Sequence, residues 1–439
     1  MLRRSFALLF GCLPISGALP RWSWDTVQTF MHCANVTGEW NEVALAAMAN
    51  MSYVTFESGH KMFASPPMDQ EEAKIIESCK LVKQRSNNRT SCIMYTEADF
   101  ARLSYSLGHA LDAHPEEELH CKGVLQEWGG YQKAMDPNTK VWYNYSVHAY
   151  DYGNPAGAER WIERATNTVA SGWVDGVYLD GMPYPAWTNN GVLANCTPAE
   201  RTNWSAGFNR TVRELAHRLG PDGIIIANGV LLPEYKHVAT GWMDDQTYGE
   251  DIYNQTCGVY NQPCLLAYHT PWTGSAQSFA EGLTSFLLGL QPFQYFATGE
   301  AWSGGGGGST DHNPWAPGIG AQACDTWLQD HAEYHRALGT PKGVATVRND
   351  SWPKIGPGSY NRCAKDGNRD QNINCQVWTR EFEHAKVYQG QFVDPNCTAN
   401  PANPKLVSCK PLGNCIYWDD NTTTGEHAYC PPRNQWQAE

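Results

Sequence analysis

The stretch Gly172 to Met182 reads Gly-Trp-Val-Asp-Gly-Val-Tyr-Leu-Asp-Gly-Met. Val174 to Leu179 is a short run rich in β-formers that ends on an aspartate, Asp180, and stops at Gly181, as a buried strand does. Before it, Ala158, Trp161, Ile162, Ala165 and Val169 fall at helical spacing, with Pro155 suited to the helix start and Gly172 to its end. After it, Trp204, Phe208, Val212, Leu215 and Leu219 form a second helical stripe closed by Gly220-Pro221. Ile224 to Ile226 then begins another buried strand that runs out at Asn228-Gly229. Helix–strand–helix–strand is the rhythm of a parallel α/β sheet. Ligands of such sheets bind outside the carboxyl ends of the strands, where Asp180 and Asn228 stand.

The same alternation continues along the chain. Strands are expected at Val27–His32, Tyr53–Phe56, Cys92–Tyr95, Val141–Tyr145, Val174–Leu179, Gly223–Ala227, Ala239–Met243, Cys264–Tyr268 and Phe293–Phe296. Helices are expected at Glu39–Met51, with Val43, Ala47, Met48 and Met51 on one stripe, and at Glu71–Arg85, Ala280–Leu290 and Trp327–Leu338. That is one strand more than a (β/α)8 TIM-type barrel uses, with the first or the fourth as the extra one. Phe100 to Pro137 is poorly patterned and reads as an insertion, and so does Ser303–Thr310 with its glycine run Gly304–Gly308.

The chain of 439 residues holds one large barrel and a smaller region. The expected division is a signal peptide at 1–18, a barrel at 19–342 and a small disulfide-rich antiparallel β region at 343–439. Arg3 and Arg4, the apolar Phe6–Leu13 and the small residues Ser16-Gly17-Ala18 have the form of a secretory leader. No later stretch is apolar enough to span a membrane. Removing Cys12 with the leader leaves an even set of cysteines without a Cys-x-x-Cys pair, which favours disulfides over zinc. Cys257 and Cys264 are close enough in sequence to close a local loop. Asn-x-Ser/Thr sequons recur from Asn35 to Asn421, with Asn195, Asn203 and Asn209 in or beside the helix after Asp180. The expected location is therefore extracellular or in the lumen of the secretory pathway. A net charge of −13 argues against nucleic acid as a partner.

The expected strand ends and the loops beside them gather Glu57, Glu97, Asp180, Asp244, Asp245, Glu250 and Glu300 with Asn228, His60 and His269. Trp187, Trp242, Trp272 and Trp302 lie in the same loops. Paired carboxylates suit glycoside cleavage, one protonating the leaving oxygen and the other attacking the anomeric carbon or activating water. Indole faces stack on sugar rings while their N–H groups bond hydroxyls. Other chemistries lack their signatures. There is no Gly-x-Gly-x-x-Gly after an early strand, no P-loop and no Gly-x-Ser-x-Gly elbow. His331-x-x-x-His335 lacks the glutamate a zincin needs, and Asp244, Asp245 and Glu250 match no EF-hand spacing, so neither metal nor cofactor is expected.

Val174-Asp-Gly-Val-Tyr-Leu-Asp-Gly181 resembles the strand motif of glycosyl hydrolases of the endo-α-1,4-polygalactosaminidase-like kind and of related glycosyl-hydrolase-like families. Ile224-Ile-Ile-Ala-Asn-Gly229 resembles their next strand. Tyr334-His-Arg-Ala-Leu-Gly-Thr-Pro-Lys-Gly343 with Trp378-Thr-Arg-Glu-Phe-Glu-His-Ala-Lys-Val-Tyr388 is similar to the C-terminal strand region of such barrels, so the likeness runs from Val141 to Gly390. It implies a (β/α)8 barrel with acidic catalysts at strand ends, Asp180 being one of them. The second is expected after the strand following Asn-Gly, where Asp245 fits best by position and Asp244 and Glu250 are its rivals. The implied activity is hydrolysis of a poly- or oligosaccharide by two carboxylates. The alternative is a non-catalytic carbohydrate-binding protein on the same scaffold.

Overall fold

The computed structural model describes residues 19–33, 35, 40–56, 60, 70–98, 100–101, 110–111, 113–121, 131–135, 142–146, 148–181, 192–228, 235, 238–245, 265–270, 276–298, 328, 330–348, 377–389, 392–393, 411–412, 415–418 and 427–429. The first half of the chain forms β1 (Phe30–Cys33), α1 (Glu42–Asn50), β2 (Tyr53–Phe56), α2 (Glu71–Ser86) and β3 (Ser91–Glu97). Four short strands follow, β4 (Phe100–Ala101), β5 (Tyr131–Met135), β6 (Trp142–Ser146) and β7 (His148–Ala149). Then come α3 (Pro155–Ala170), β8 (Gly176–Asp180), α4 (Pro198–Leu219), β9 (Ile224–Asn228), β10 (Gly241–Asp245), β11 (Leu265–Thr270), α5 (Ala276–Gly289) and β12 (Gln294–Thr298). Beyond these lie β13 (Thr346–Arg348), β14 (Val377–Glu381), β15 (Ala385–Gln389), β16 (Phe392–Val393), β17 (Pro411–Leu412), β18 (Cys415–Trp418) and β19 (His427–Tyr429).

Eight strands make one sheet in the order β1-β2-β3-β8-β9-β10-β11-β12, and every pairing in it is parallel. Neighbours in the sheet follow chain order, so all carboxyl ends share one rim. A parallel bridge between Thr29 and Phe296 and a 2.9 Å hydrogen bond from the Phe296 N–H to the Gln28 carbonyl link the two outer strands. The expected strand at Val141–Tyr145 is not in this sheet. It is β6, which pairs antiparallel with β5 within the insertion after β3. The insertion starts and ends in the antiparallel β4–β7 pair, directly beyond Glu97. The first expected strand, by contrast, is a sheet member.

The helices start and stop where local chemistry dictates. Asn154 caps α3 through the Ala156 N–H, and Pro155 fills the first turn, where its missing N–H is no loss. Thr197 and Glu200 form a reciprocal capping box on α4, which stops at Gly220 in a positive-φ conformation. Helix α1 buries Ala47 and Met48 of the expected stripe, with Met51 just beyond its end, together with Ala44 and Leu45, while Val43 is 69% exposed and stands outside the packed face. Helix α2 packs through Ile75, Cys79, Val82 and Lys83. A disulfide, Cys79–Cys92, ties it to β3. At the amino ends of the strands, Asp175 accepts from Lys83 Nζ at 2.6 Å and from the Cys92 N–H at 2.7 Å, locking α2, β3 and the entry to β8 together.

Tyr152 sits where α3 and α4 meet, edge-on to Trp161, Trp204 and Phe208, and its hydroxyl donates to the Ala98 carbonyl at the end of β3. Gly207 of α4 makes that contact close, since a Cβ there would stand 1.9 Å from the Tyr152 carbonyl oxygen. Helix propensity alone favours Ala over Gly by about 1 kcal/mol. Collision with backbone outweighs it, so Gly207→Ala is expected to lose about 2 kcal/mol net. A thermal melt of the variant checks the sign, and a raised midpoint would refute the packing argument.

The second sheet has the order β13-β14-β15-β18-β19, with antiparallel pairings throughout. The short β16–β17 pair stands apart from it. Between the two sheets the expected helix at Trp327–Leu338 is absent among the described residues, which instead hold one 3-10 turn at Ala332–His335. The segment runs extended because its polar groups bond the chain's beginning. Val27 N–H donates to the Tyr334 carbonyl, Leu338 N–H to Asp25 and Gly339 N–H to Trp24. No described helix is long and apolar enough to cross a membrane. A second disulfide, Cys121–Cys196, is present, and Cys33 and Cys415 are disulfide-bonded as well. The loop expected between Cys257 and Cys264 lies outside the described residues.

Candidate functional site

Strands β3 and β8 pair so that Tyr95 lies beside Tyr178 and Glu97 beside Asp180. Alternation along a strand puts Tyr95 and Glu97 on one face, and Tyr178 and Asp180 on the same face of the neighbour. The Tyr95 hydroxyl reaches both acids, 2.7 Å from Glu97 Oε1 and 2.5 Å from Asp180 Oδ2. The other oxygen of Asp180, Oδ1, accepts from Asn228 Nδ2 at 2.5 Å and from the Gly181 N–H at 2.8 Å. Gly181 has φ 64°, a left-handed conformation that glycine adopts without strain, and it turns its N–H back onto the carboxylate. Three donors therefore converge on one aspartate where strand β8 ends.

Below this rim the interior is aromatic. His32 of β1 meets Tyr178 at 4.4 Å and Tyr95 at 5.6 Å between ring centroids, and the Tyr178 hydroxyl contacts Met243 Sδ at 3.7 Å. A deeper layer stacks Phe30 on Tyr53 and sets Tyr53 edge-on to Tyr295. Burial first, and then the neighbouring Tyr295, push the Tyr53 phenol well above its ordinary range. Glu97 is 3% exposed and Asp180 is half-buried. The Glu97 backbone is held from outside the sheet by Trp161 Nε1, which donates to its carbonyl at 3.3 Å. Arg164 of α3 bonds Thr96 at 2.6 Å and pairs with Glu72 of α2.

Of the residues expected at the site, Glu97, Asp180 and Asn228 are brought together. Asp245, Asp244, Trp242 and His269 have described backbone only. By strand alternation Asp245 shares the register face of Met243, which pairs with Asn228, whereas Asp244 takes the opposite register. Asp245 is in turn the register partner of His269. Glu57, Trp187, Glu250, Trp272, Glu300 and Trp302 lie outside the described residues. His60 is not a rim residue. It is buried between Trp40 and Phe56, bonded to Ser78 Oγ at 2.8 Å and to the Asn35 N–H at 3.3 Å, so it serves packing. Asn35, a sequon asparagine, is itself buried, while Asn195 and Asn203 are exposed.

Sequence reasoning missed Tyr95. The available signal was the alternation in Tyr95-Thr96-Glu97, which sets a phenol two residues before an acid on the same strand face. The clusters with metal-ligand spacing among the described residues do not join this site. One of them includes Cys121, which is already in a disulfide, and the other is His114, Glu116 and Glu117 within the insertion.

No family model matches the chain, and no curated protein matches it. Among solved structures it is similar to the glycoside hydrolase domain of PelA from Pseudomonas aeruginosa, at 12% identity over 62% of this chain and 95% of that one, with a TM-score of 0.40. It is similar to an alpha-amylase from Geobacillus thermoleovorans at 11% identity over 84% and 87%, with a TM-score of 0.41. It is also similar to an alpha-galactosidase from Lactobacillus brevis at 12% identity over 86% of this chain and 48% of that one, with a TM-score of 0.44. At such identities and scores the functional reading rests on the strand-end geometry alone.

Proposed function

We propose that the chain is a secreted glycoside hydrolase acting on a poly- or oligosaccharide, with Asp180 as one of its two catalytic carboxylates. The observation that carries this reading is the Asp180 carboxylate at a strand's carboxyl end, oriented by Tyr95, Asn228 and Gly181. A carboxylate fixed by donors on both oxygens is ready to attack an anomeric carbon or to steady the positive charge that develops there. Asp245 is the proposed second carboxylate, and its register face supports it over Asp244. Its role is to protonate the leaving oxygen. The sheet is proposed to close as a (β/α)8 barrel, supported by the Thr29–Phe296 bridge. The proposed division remains a leader at 1–18, a barrel at 19–342 and a Cys-rich β region at 343–439. Trp187, Trp242, Trp272 and Trp302 would offer stacking faces to sugar rings.

The test is a panel of polysaccharides, neutral, acidic and amino-sugar, incubated with the full chain and read for new reducing ends. At least one glycan is expected to be cleaved by the wild type and left intact by Asp180→Asn. A glycan that is bound without release of reducing ends would favour the carbohydrate-binding alternative.

A further inference from the structure

A sequon marks where a glycan can be attached, and the fold decides which asparagine can keep one. An N-linked glycan is bulky and hydrated, so the asparagine that bears it must stay at the surface of the folded chain. The sequon Asn88-Arg89-Thr90 lies between α2 and β3, and Asn88 is exposed. Its φ of 58° is left-handed, a conformation that asparagine takes more readily than most residues. The main chain holds the turn. The Asn88 N–H donates to the Lys83 carbonyl at 2.8 Å, and the Arg89 N–H to the Ser86 carbonyl at 3.2 Å. Thr90 is buried, with its hydroxyl 3.1 Å from the Ala49 carbonyl and 2.9 Å from that of Met51. Transfer of a glycan therefore precedes folding, while Thr90 is still accessible, and the folded position of Asn88 lets the sugar remain.

At other sequons the asparagine is already built into the fold. Asn35 is 1% exposed, and its N–H donates to His60, which Trp40 and Phe56 enclose. Asn50 Nδ2 donates to Asp330 Oδ2 at 2.7 Å, and Asn203 Nδ2 stands 2.2 Å from where a Cβ on Gly153 would be. Asn209 accepts from the Tyr235 hydroxyl. We propose that in the folded, secreted protein Asn88 carries an N-linked glycan and Asn35 carries none. The inference rests on the secretory part of the reading above. Its consequence is positional. Asn88 stands before the first residue of β3, whereas Glu97 ends that strand about 20 Å further on. The glycan emerges at the amino ends of the strands, on the opposite side of the sheet from the Asp180 rim. Asn35 lies just past the carboxyl end of β1, where a sugar would force apart the packing around His60.

The experiment expresses the full chain in a eukaryotic secretory host, once behind its own residues 1–18 and once behind a leader of proven export. Enzymatic release of N-glycans from the folded, secreted fraction in heavy-oxygen water marks each formerly modified asparagine as a labelled aspartate, read by peptide mass spectrometry. The peptide holding Asn88 is expected to be labelled and the one holding Asn35 unlabelled. Asn88→Asp removes the acceptor while keeping a residue that tolerates left-handed backbone, and it is expected to be secreted and to migrate faster on a gel by one glycan. An unlabelled Asn88, or a labelled Asn35 in folded material, would overturn the proposal. Labelling of Asn88 behind the proven leader, with the chain retained inside the cell behind its own, would uphold the sorting of the two sequons and count only against the secretory reading.

Discussion

Asp180→Asn is expected to lower hydrolysis of a responsive glycan by about 10²–10⁴-fold while leaving the fold intact. The loss follows from chemistry. An amide neither attacks an anomeric carbon nor carries the negative charge that an oxocarbenium-like transition state requires. The retained fold follows from hydrogen bonding. The Asn oxygen can still accept from Asn228 and Gly181, which now reach Asp180 Oδ1 at 2.5 and 2.8 Å. Its nitrogen would stand against the Tyr95 oxygen, to which it can donate. Every group keeps a partner, so the thermal midpoint should move little. Initial rates by reducing-end assay and a melting curve on one preparation decide the matter. Unchanged rates would remove Asp180 from the reaction, and a collapsed melting curve would mean that the carboxylate is structural.

The largest expected stability effect lies far from the rim. Helix α5 ends without a basic residue in its last turn, leaving carbonyls that need donors. Arg380 of β14 supplies them from about ninety residues away along the chain. Its Nη1 bonds the carbonyls of Leu287 at 3.2 Å, Leu288 at 3.0 Å and Leu290 at 2.7 Å, and its Nε bonds Gly343 at 3.1 Å. The side chain also lies over the Phe382 ring. Burial draws the guanidinium down to about 10, which leaves it charged at neutral pH. Arg380→Ala strands these buried acceptors and is expected to cost about 3 kcal/mol. Arg380→Lys should fall between, since an ammonium cannot reproduce the planar fork. Urea unfolding followed by circular dichroism measures both. A loss under about 1 kcal/mol would mean that water replaces the guanidinium without penalty. The contact also ties the antiparallel sheet to the end of α5, so the variant is expected to broaden or split the transition.

The parallel strands were readable because residues buried on both faces leave continuous apolar runs such as Val177-Tyr-Leu179 and Ile224-Ile-Ile226. β6 was misplaced because Trp-Tyr-Asn-Tyr has the composition of a strand whatever sheet it joins, and only its partner β5 shows that it belongs to an antiparallel pair. The segment around Tyr334 has helix-forming neighbours, but long-range bonds to Trp24, Asp25 and Val27 decide its course, and propensity carries no record of those. At the rim, Asp180 and Asn228 were visible as polar residues at the ends of buried runs. Tyr95 was not, because a tyrosine inside a strand reads as core until the neighbouring strand's acid is known to stand beside it. His60 looked functional for the converse reason. A histidine after a strand is conspicuous in one dimension, while the Trp40 and Phe56 faces that enclose it are distant in sequence.

The Cys121–Cys196 crosslink spans 75 residues and connects the excursion leaving β3 to the stretch leaving β8. Anyone redesigning the segments that follow β3 and β8 must consequently treat these two excursions as a single graft. Transplanting either one without its cysteine would leave an odd thiol on the other, open to mispairing with another cysteine.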